Sequence, residues 1–209
     1  MKIVLLGAPG SGKGTQATRI SEKYNLPHIS TGDIFREITN SGTELGNMVK
    51  SLIDGGNMCP DSLTVEIVKE RLSRADCKNG YILDGFPRDI AQAKAFETFG
   101  DPHPDFVINL DIDLSKIEKR ITGRRNCKTC HRSYHIDHIG DNTKCPHCGD
   151  ELVVRKDDNP ESVKERLKVY KQNTEPLIAY YSKKGIVYHV NSGVSSEETH
   201  RQVVEIIGE

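Results

Sequence analysis

The stretch Gly7-Ala8-Pro9-Gly10-Ser11-Gly12-Lys13-Gly14-Thr15 constrains the fold more than any other part of the chain. It follows the apolar run Ile3-Val4-Leu5-Leu6 and opens a polar, amphipathic segment reaching Tyr24. Strand, glycine turn and helix in that order make an anion cradle. Glycine lets successive backbone N–H groups converge on a phosphate chain, and the helix N-terminus adds its own unpaired N–H groups and positive dipole end. Lys13 would supply a mobile cation to the outer phosphates. The pattern fits a phosphate-binding P-loop except at one position: Gly14 stands where Ser or Thr is expected, and Thr15 follows. A hydroxyl ligand to Mg²⁺ directly after the lysine is therefore not expected.

The rest of the chain alternates short apolar runs with helical patterns. Candidate strands are 3–6, 27–30, 81–83, 106–110 and 185–190; candidate helices are 13–24, 31–41, 43–54, 61–74, 89–99, 114–125, 160–182 and 195–207. Runs this short and this apolar suit parallel strands buried on both faces, so an α/β sheet covered by helices is predicted. Ligands of such sheets bind at the carboxyl ends of the strands, where the glycine loop falls. Asn159-Pro160 reads as an N-cap before a first-turn proline, and Ser195 with Glu198 as a capping box.

Charge and composition exclude several classes. A net charge of −1 with no tryptophan argues against a nucleic-acid surface built on phosphate attraction and base stacking. No apolar run approaches the length of a membrane span, and the apolar opening is too short for a signal peptide. A soluble cytoplasmic protein is expected.

One segment, 126–152, lacks helical period and carries Cys127-Lys128-Thr129-Cys130 and Cys145-Pro146-His147-Cys148, with fourteen residues between the pairs. Two such knuckles complete a tetrahedral four-sulfur site, for which Zn²⁺ is the expected metal and iron the substitute. Four thiolates close the coordination sphere, so the role is structural. A two-strand metal ribbon inserted in the α/β core is predicted. His131, His135, His138 and His147 are nearby alternative ligands, read in the first place as ordinary polar residues. Cys59 and Cys77 belong to no motif.

Arginines gather around the predicted crevice: Arg36 and Arg88 after short strands, Arg120, Arg124 and Arg125 before the cysteine segment, Arg155 and Arg166 after it. Phosphoryl transfer needs such cations, because negative charge spreads over the transferred oxygens. Asp84 ends the run Tyr81-Ile82-Leu83, the placement of a Mg²⁺ aspartate beside a P-loop.

Residues 7–16, Ser30-Thr31-Gly32-Asp33 with Arg36, Leu83-Asp84-Gly85-Phe86-Pro87-Arg88 with Gln92, Gly123-Arg124-Arg125, and Arg155-Lys156-Asp157-Asp158 with Arg166 together resemble the adenylate kinases, over nearly the whole chain. The long cysteine-bearing insertion is similar to that of the bacterial zinc-containing type, and Gly14-Thr15 is the arrangement of that family. The resemblance implies a P-loop nucleoside monophosphate kinase fold with a central five-stranded parallel sheet. It implies a core of 1–29, 60–121 and 161–209, an AMP-binding arm of 30–59 and a zinc lid of 122–160. It implies transfer of the terminal phosphoryl of MgATP to AMP, giving two ADP, by a monomer. Gly10, Ser11, Gly12, Lys13, Gly14, Thr15, Arg120 and Arg124 would bind ATP. Thr31, Arg36, Gly85, Arg88, Gln92, Arg155 and Arg166 would bind AMP. Lys13, Arg88, Arg124, Arg155 and Arg166 would carry catalysis. Asp84, aided by Asp33, would hold Mg²⁺ through water, and Asp157 and Asp158 would help close the lid. Cys127, Cys130, Cys145 and Cys148 would bind the structural zinc.

Two other readings compete. Pyrimidine nucleoside monophosphate kinases share the core, but that family tends to carry alanine at Thr31, asparagine near Gln92 and a short lid. A zinc-ribbon regulatory protein with an ATP switch would account for the loop and the cysteines but not for the arginines.

Overall fold

The computed structural model describes residues 1–54, 57–100 and 103–208. The expected arm (30–59) therefore includes two residues, and the expected core three, that lie outside the described ones. Strand β1 (Lys2–Gly7) leads through the glycine loop into α1 (Lys13–Tyr24), β2 (His28–Ser30) and α2 (Thr31–Thr39). Next come α3 (Glu44–Asp54), α4 (Asp61–Leu72), β3 (Tyr81–Asp84), α5 (Ile90–Phe96) and β4 (Phe106–Asp111). After α6 (Ile117–Thr122), strands β5 (Arg124–Cys127) and β6 (Ser133–His135), the short helix α7 (Ile136–Ile139) and β7 (Leu152–Val153) build the cysteine module. The chain returns through α8 (Pro160–Val169), α9 (Pro176–Ser182), β8 (Val187–Asn191) and α10 (Ser196–Ile207).

Among the described residues, β2-β3-β1-β4-β8 form a parallel sheet in that order. Its central strand shows why an unbroken apolar run is required. Ile3 and Leu5 pack with Ala17 and Ile20 of α1 and Val203 of α10, whereas Val4 and Leu6 pack with Val68 of α4, Phe96 of α5 and Leu177 of α9. Alternate side chains thus serve opposite helical layers, and all four are buried. Each such burial stabilises the fold by about 1.5–3 kcal/mol. From β1 the chain runs toward β2, but from β3 it crosses to β4 on the other side of β1. The loops after β1 and β3 therefore part and leave a crevice at the carboxyl edge of the sheet.

Caps set several helix starts. Ser30 accepts from the Asp33 N–H, Asp89 from Gln92, and Asn159 from Ser162, with Pro160 opening α8. Ser195 caps α10, but Glu198 completes no box; its carboxylate meets Arg201. Two expected helices need correction. The one at 114–125 stops at Thr122, and Arg124 and Arg125 stand instead on β5. The one at 160–182 is interrupted by a π-helical turn, Tyr170–Thr174, ahead of Pro176, whose ring cannot continue a regular ladder.

The cysteine module also differs from expectation. It is a three-stranded antiparallel sheet, β6-β5-β7, rather than a two-strand ribbon. The third strand is two residues long and pairs Leu152 with Cys127.

Candidate active site and cysteine cluster

Gly7, Gly10 and Gly12 all have positive φ. At Gly7 the need for glycine is also steric: a Cβ there would lie 2.8 Å from the Leu110 carbonyl oxygen. The turn delivers Lys13 to the first residue of α1, where Nζ donates to the carbonyls of Gly7 (2.8 Å) and Ala8 (2.9 Å). Burial lowers the Lys13 pKa to about 8; Asp84 opposes the fall, and Arg88, Arg166 and Arg124 deepen it. Thr15 stands on the same first turn. Arg120 donates to the Ser192 carbonyl (2.9 Å), and its guanidinium passes 3.9 Å from where a Gly12 Cβ would sit, which puts it over the loop.

Asp84 closes β3 opposite Lys13. Burial works against its charge, but neighbouring His28 and Lys13 outweigh burial and hold the carboxyl below the usual range. His28 Nε2 lies 3.5 Å from Asp84 Oδ2. Gly14 faces this carboxylate: a Cβ on it would meet Oδ2 at 3.4 Å. The position where a P-loop hydroxyl is usual is thus a small residue beneath an aspartate.

Four of the remaining cations are held by three aspartates, while Arg88 donates to the Gly85 carbonyl. Asp33 pairs with Arg36 and lies 3.8 Å from Arg155, and despite burial these arginines and the Ser30 hydroxyl hold its carboxyl low. Arg124 makes a two-point pair with buried Asp158, Nε to Oδ2 being 2.9 Å. Arg166 reaches Asp157 at 3.0 Å and Asp158 at 3.6 Å. Burial lowers the pKa of Arg155 and Arg166, and neighbouring guanidinium groups add to the fall. The cations brought together are therefore Lys13, Arg36, Arg88, Arg124, Arg155 and Arg166. Arg125 faces elsewhere, bonding the Thr122 and Arg124 carbonyls.

A cavity of about 80 Å³ opens beside them, with Thr31, Arg36, Arg88, Gln92, Asp157 and Arg166 in its wall. Thr31 Oγ1 donates to the Gly85 carbonyl (2.8 Å), and Arg88 Nε donates to the same oxygen (2.8 Å). Buried Gln92 is held at both ends of its amide, by the Arg88 N–H and by Asp61. Cys59, which no motif singled out, also lies in this wall, where burial pushes its thiol up. Sequence reasoning likewise missed His28, Asp61 and Thr174, whose hydroxyl donates to the Arg88 carbonyl (2.7 Å). Only contact across the fold identifies them.

The four paired cysteines come together. Their sulfurs lie within 4.8 Å of one another, Cys127 to Cys148 at 3.3 Å and Cys130 to Cys145 at 3.6 Å. A tetrahedral Zn²⁺ with bonds of about 2.3 Å spaces its sulfurs about 3.8 Å apart, so the cluster is of a size to hold such an ion. Among the described residues no histidine joins this cluster. His131 forms the knuckle turn at φ 57°, and His135 bridges the Lys119 carbonyl (3.1 Å) and the Asp137 N–H (3.2 Å). The reading of these histidines as ordinary polar residues therefore holds over the alternative of substitute ligands.

A family model described as adenylate kinase matches residues 5–186. The chain is similar to adenylate kinases from Archaeoglobus fulgidus (48% identical, covering 99% of this chain and 98% of that one) and Agathobacter rectalis (47%, covering all of both). A third, from Clostridium tetani, is 47% identical over all of this chain and 99% of its own.

Proposed function

The chain belongs to the adenylate kinase family, and on that premise we propose which of its residues carry the reaction. The activity is that of an ATP:AMP phosphotransferase, in which the terminal phosphoryl of MgATP passes reversibly to AMP. A phosphate oxygen of AMP bonds to the γ-phosphorus as the bond to the β,γ-bridging oxygen breaks, leaving two ADP. The attacking oxygen is already anionic near neutral pH, so the site requires no general base. Alignment and charge neutralisation are what the protein must supply.

Lys13, Arg124, Arg155 and Arg166 surround the phosphoryl group in flight, and Arg36 and Arg88 grip the AMP phosphate. The glycine loop, from Gly10 to Thr15, cradles the ATP phosphates, with Arg120 against its base. Thr31, Gly85 and Gln92 frame the AMP base and ribose. Asp84, with Asp33 beside it, would hold Mg²⁺ through water; the ion neutralises phosphate charge and aligns the triphosphate. The observation that carries this reading is the convergence of six cations from α1, α2, α8, β5 and two loops, knitted by Asp33, Asp157 and Asp158.

We also propose that 30–59 is the AMP-binding arm and 122–160 a lid. Support comes from contacts between them and with the core: Arg155 with Asp33, Ser162 Oγ with the Asp54 carbonyl (3.0 Å), and Arg132 with Glu22. Closure excludes water from the transferred phosphoryl. The four thiolates would hold Zn²⁺, which makes the lid rigid without a large apolar core. Among the described residues no helix is long and apolar enough to cross a membrane; a cytoplasmic monomer is the accompanying proposal. The test is ADP formation from MgATP with AMP, CMP, UMP and GMP in turn. Rapid, reversible formation with AMP alone is expected; a preference for CMP or UMP would overturn the base-site assignment.

A further inference from the structure

Gln92 is buried in the wall of the acceptor cavity, and its amide is fully oriented. Oε1 accepts from the Arg88 backbone N–H (2.9 Å), and Nε2 donates to Asp61 Oδ1 (2.7 Å). A backbone N–H can only donate, and an ionised carboxylate can only accept. Turning the amide end for end would set donor against donor and acceptor against acceptor. Each amide atom keeps one unused valence, an N–H on Nε2 and a lone pair on Oε1.

We infer that Asp61 is a specificity-determining positioning residue: together with the Arg88 N–H it fixes the direction of the Gln92 amide, so that the acceptor site selects amino bases over keto bases. The inference rests on the reading that Gln92 faces the acceptor base. Adenine offers a 6-amino donor beside the N1 acceptor, whereas guanine offers an O6 acceptor beside an N1–H donor. A fixed amide meets the first pattern with two hydrogen bonds. In the same pose it meets the second with two repulsions. A glutamine free to turn would satisfy either, so glutamine alone cannot discriminate. A site with committed polar groups rejects the wrong base because those groups are left unpaired. The location of Asp61 suits this role. It opens α4 immediately after Pro60, and both lie on the rim of a neighbouring groove rather than in the phosphate site.

The experiment measures kcat and KM for AMP and GMP at saturating MgATP in Asp61→Ala, Asp61→Asn and Gln92→Ala. In Asp61→Ala the KM for AMP is expected to rise about 10-fold with kcat changed less than about 3-fold, and the preference for AMP over GMP in kcat/KM to fall at least about 10-fold. Asp61→Asn, nearly isosteric and so expected to fold as the parent does, can accept or donate by turning its own amide. It should keep most AMP affinity while losing part of the preference. An equal rise in KM for AMP and GMP, with the preference unchanged, would make Asp61 a merely structural residue and overturn the inference. If Gln92→Ala disturbs AMP binding while both Asp61 variants keep the parent preference, the inference alone fails. If Gln92→Ala leaves AMP binding and preference intact, the base-facing reading itself fails.

Discussion

Lys13 offers the sharpest test of the site, because its charge is what the triphosphate needs and its surroundings oppose that charge. The ordinary lysine pKa of 10.5 falls here to about 8, chiefly through burial, with three arginines adding to the effect and Asp84 opposing it. If the triphosphate binds only the protonated form, the apparent Kd scales as one plus ten to the power of pH minus pKa. That factor is about 1.1 at pH 7 and about 11 at pH 9, so affinity for MgATP should weaken about 10-fold across this window. The triphosphate's own last ionisation lies lower, so the ligand contributes little above pH 8. The bound phosphates restore the lysine charge, and so at pH 9 binding should take up close to one proton. Ligand-free stability carries the opposite sign. Between about 8 and 10.5 the unfolded chain holds this proton more tightly than the folded one, so the Lys13 contribution to stability rises with pH. Calorimetric titration with MgATP, without AMP, in buffers of different ionisation enthalpy measures both quantities. In Lys13→Met affinity should be weak throughout and its pH dependence should vanish. A wild-type Kd constant within about 2-fold from pH 7 to 9, without proton uptake, would refute the reasoning. So would an identical decline in Lys13→Met.

Two further outcomes follow from the proposed lid and its proposed zinc. Removing the metal with a chelator, or replacing Cys148 with serine, should lower the Tm by about 10 °C while turnover at 25 °C stays within about 2-fold; loss of turnover in a still-folded, metal-free protein would give the metal a role in the chemistry. Gly123 joins α6 to β5, and a Cβ on it would fall 2.2 Å from His135 Nε2, so Gly123→Ala must displace the ring that bonds the Lys119 carbonyl. Losing that clamp, worth about 1 kcal/mol, should raise the KM for MgATP about 5-fold, and an unchanged KM would remove Gly123 and His135 from the closing mechanism.

What the sequence disclosed and what it hid divide along a physical line. The five core strands were legible to within one or two residues because each is an apolar run that only a doubly covered sheet can bury, and the glycine loop because its backbone shape leaves a compositional mark. The four cysteines were legible for the same reason: their paired spacing is the one a tetrahedral ion would impose. By contrast, Arg124-Arg125-Asn126 carries no alternation, since its strand belongs to a small sheet whose order comes from sulfur contacts rather than a wide apolar face. The helical pattern before it accordingly ran on too far, and a two-residue strand such as Leu152–Val153 lies below any periodicity. The orienting residues were hidden more deeply. His28 and Asp61 touch Asp84 and Gln92 only across the fold, and nothing in their own neighbourhoods distinguishes a capping or surface residue from a positioning one. Residues that grip phosphate declare themselves, because positive charge must be concentrated against its own repulsion. Residues that aim another side chain need only one correctly placed atom, and that placement exists only once the strands are in register.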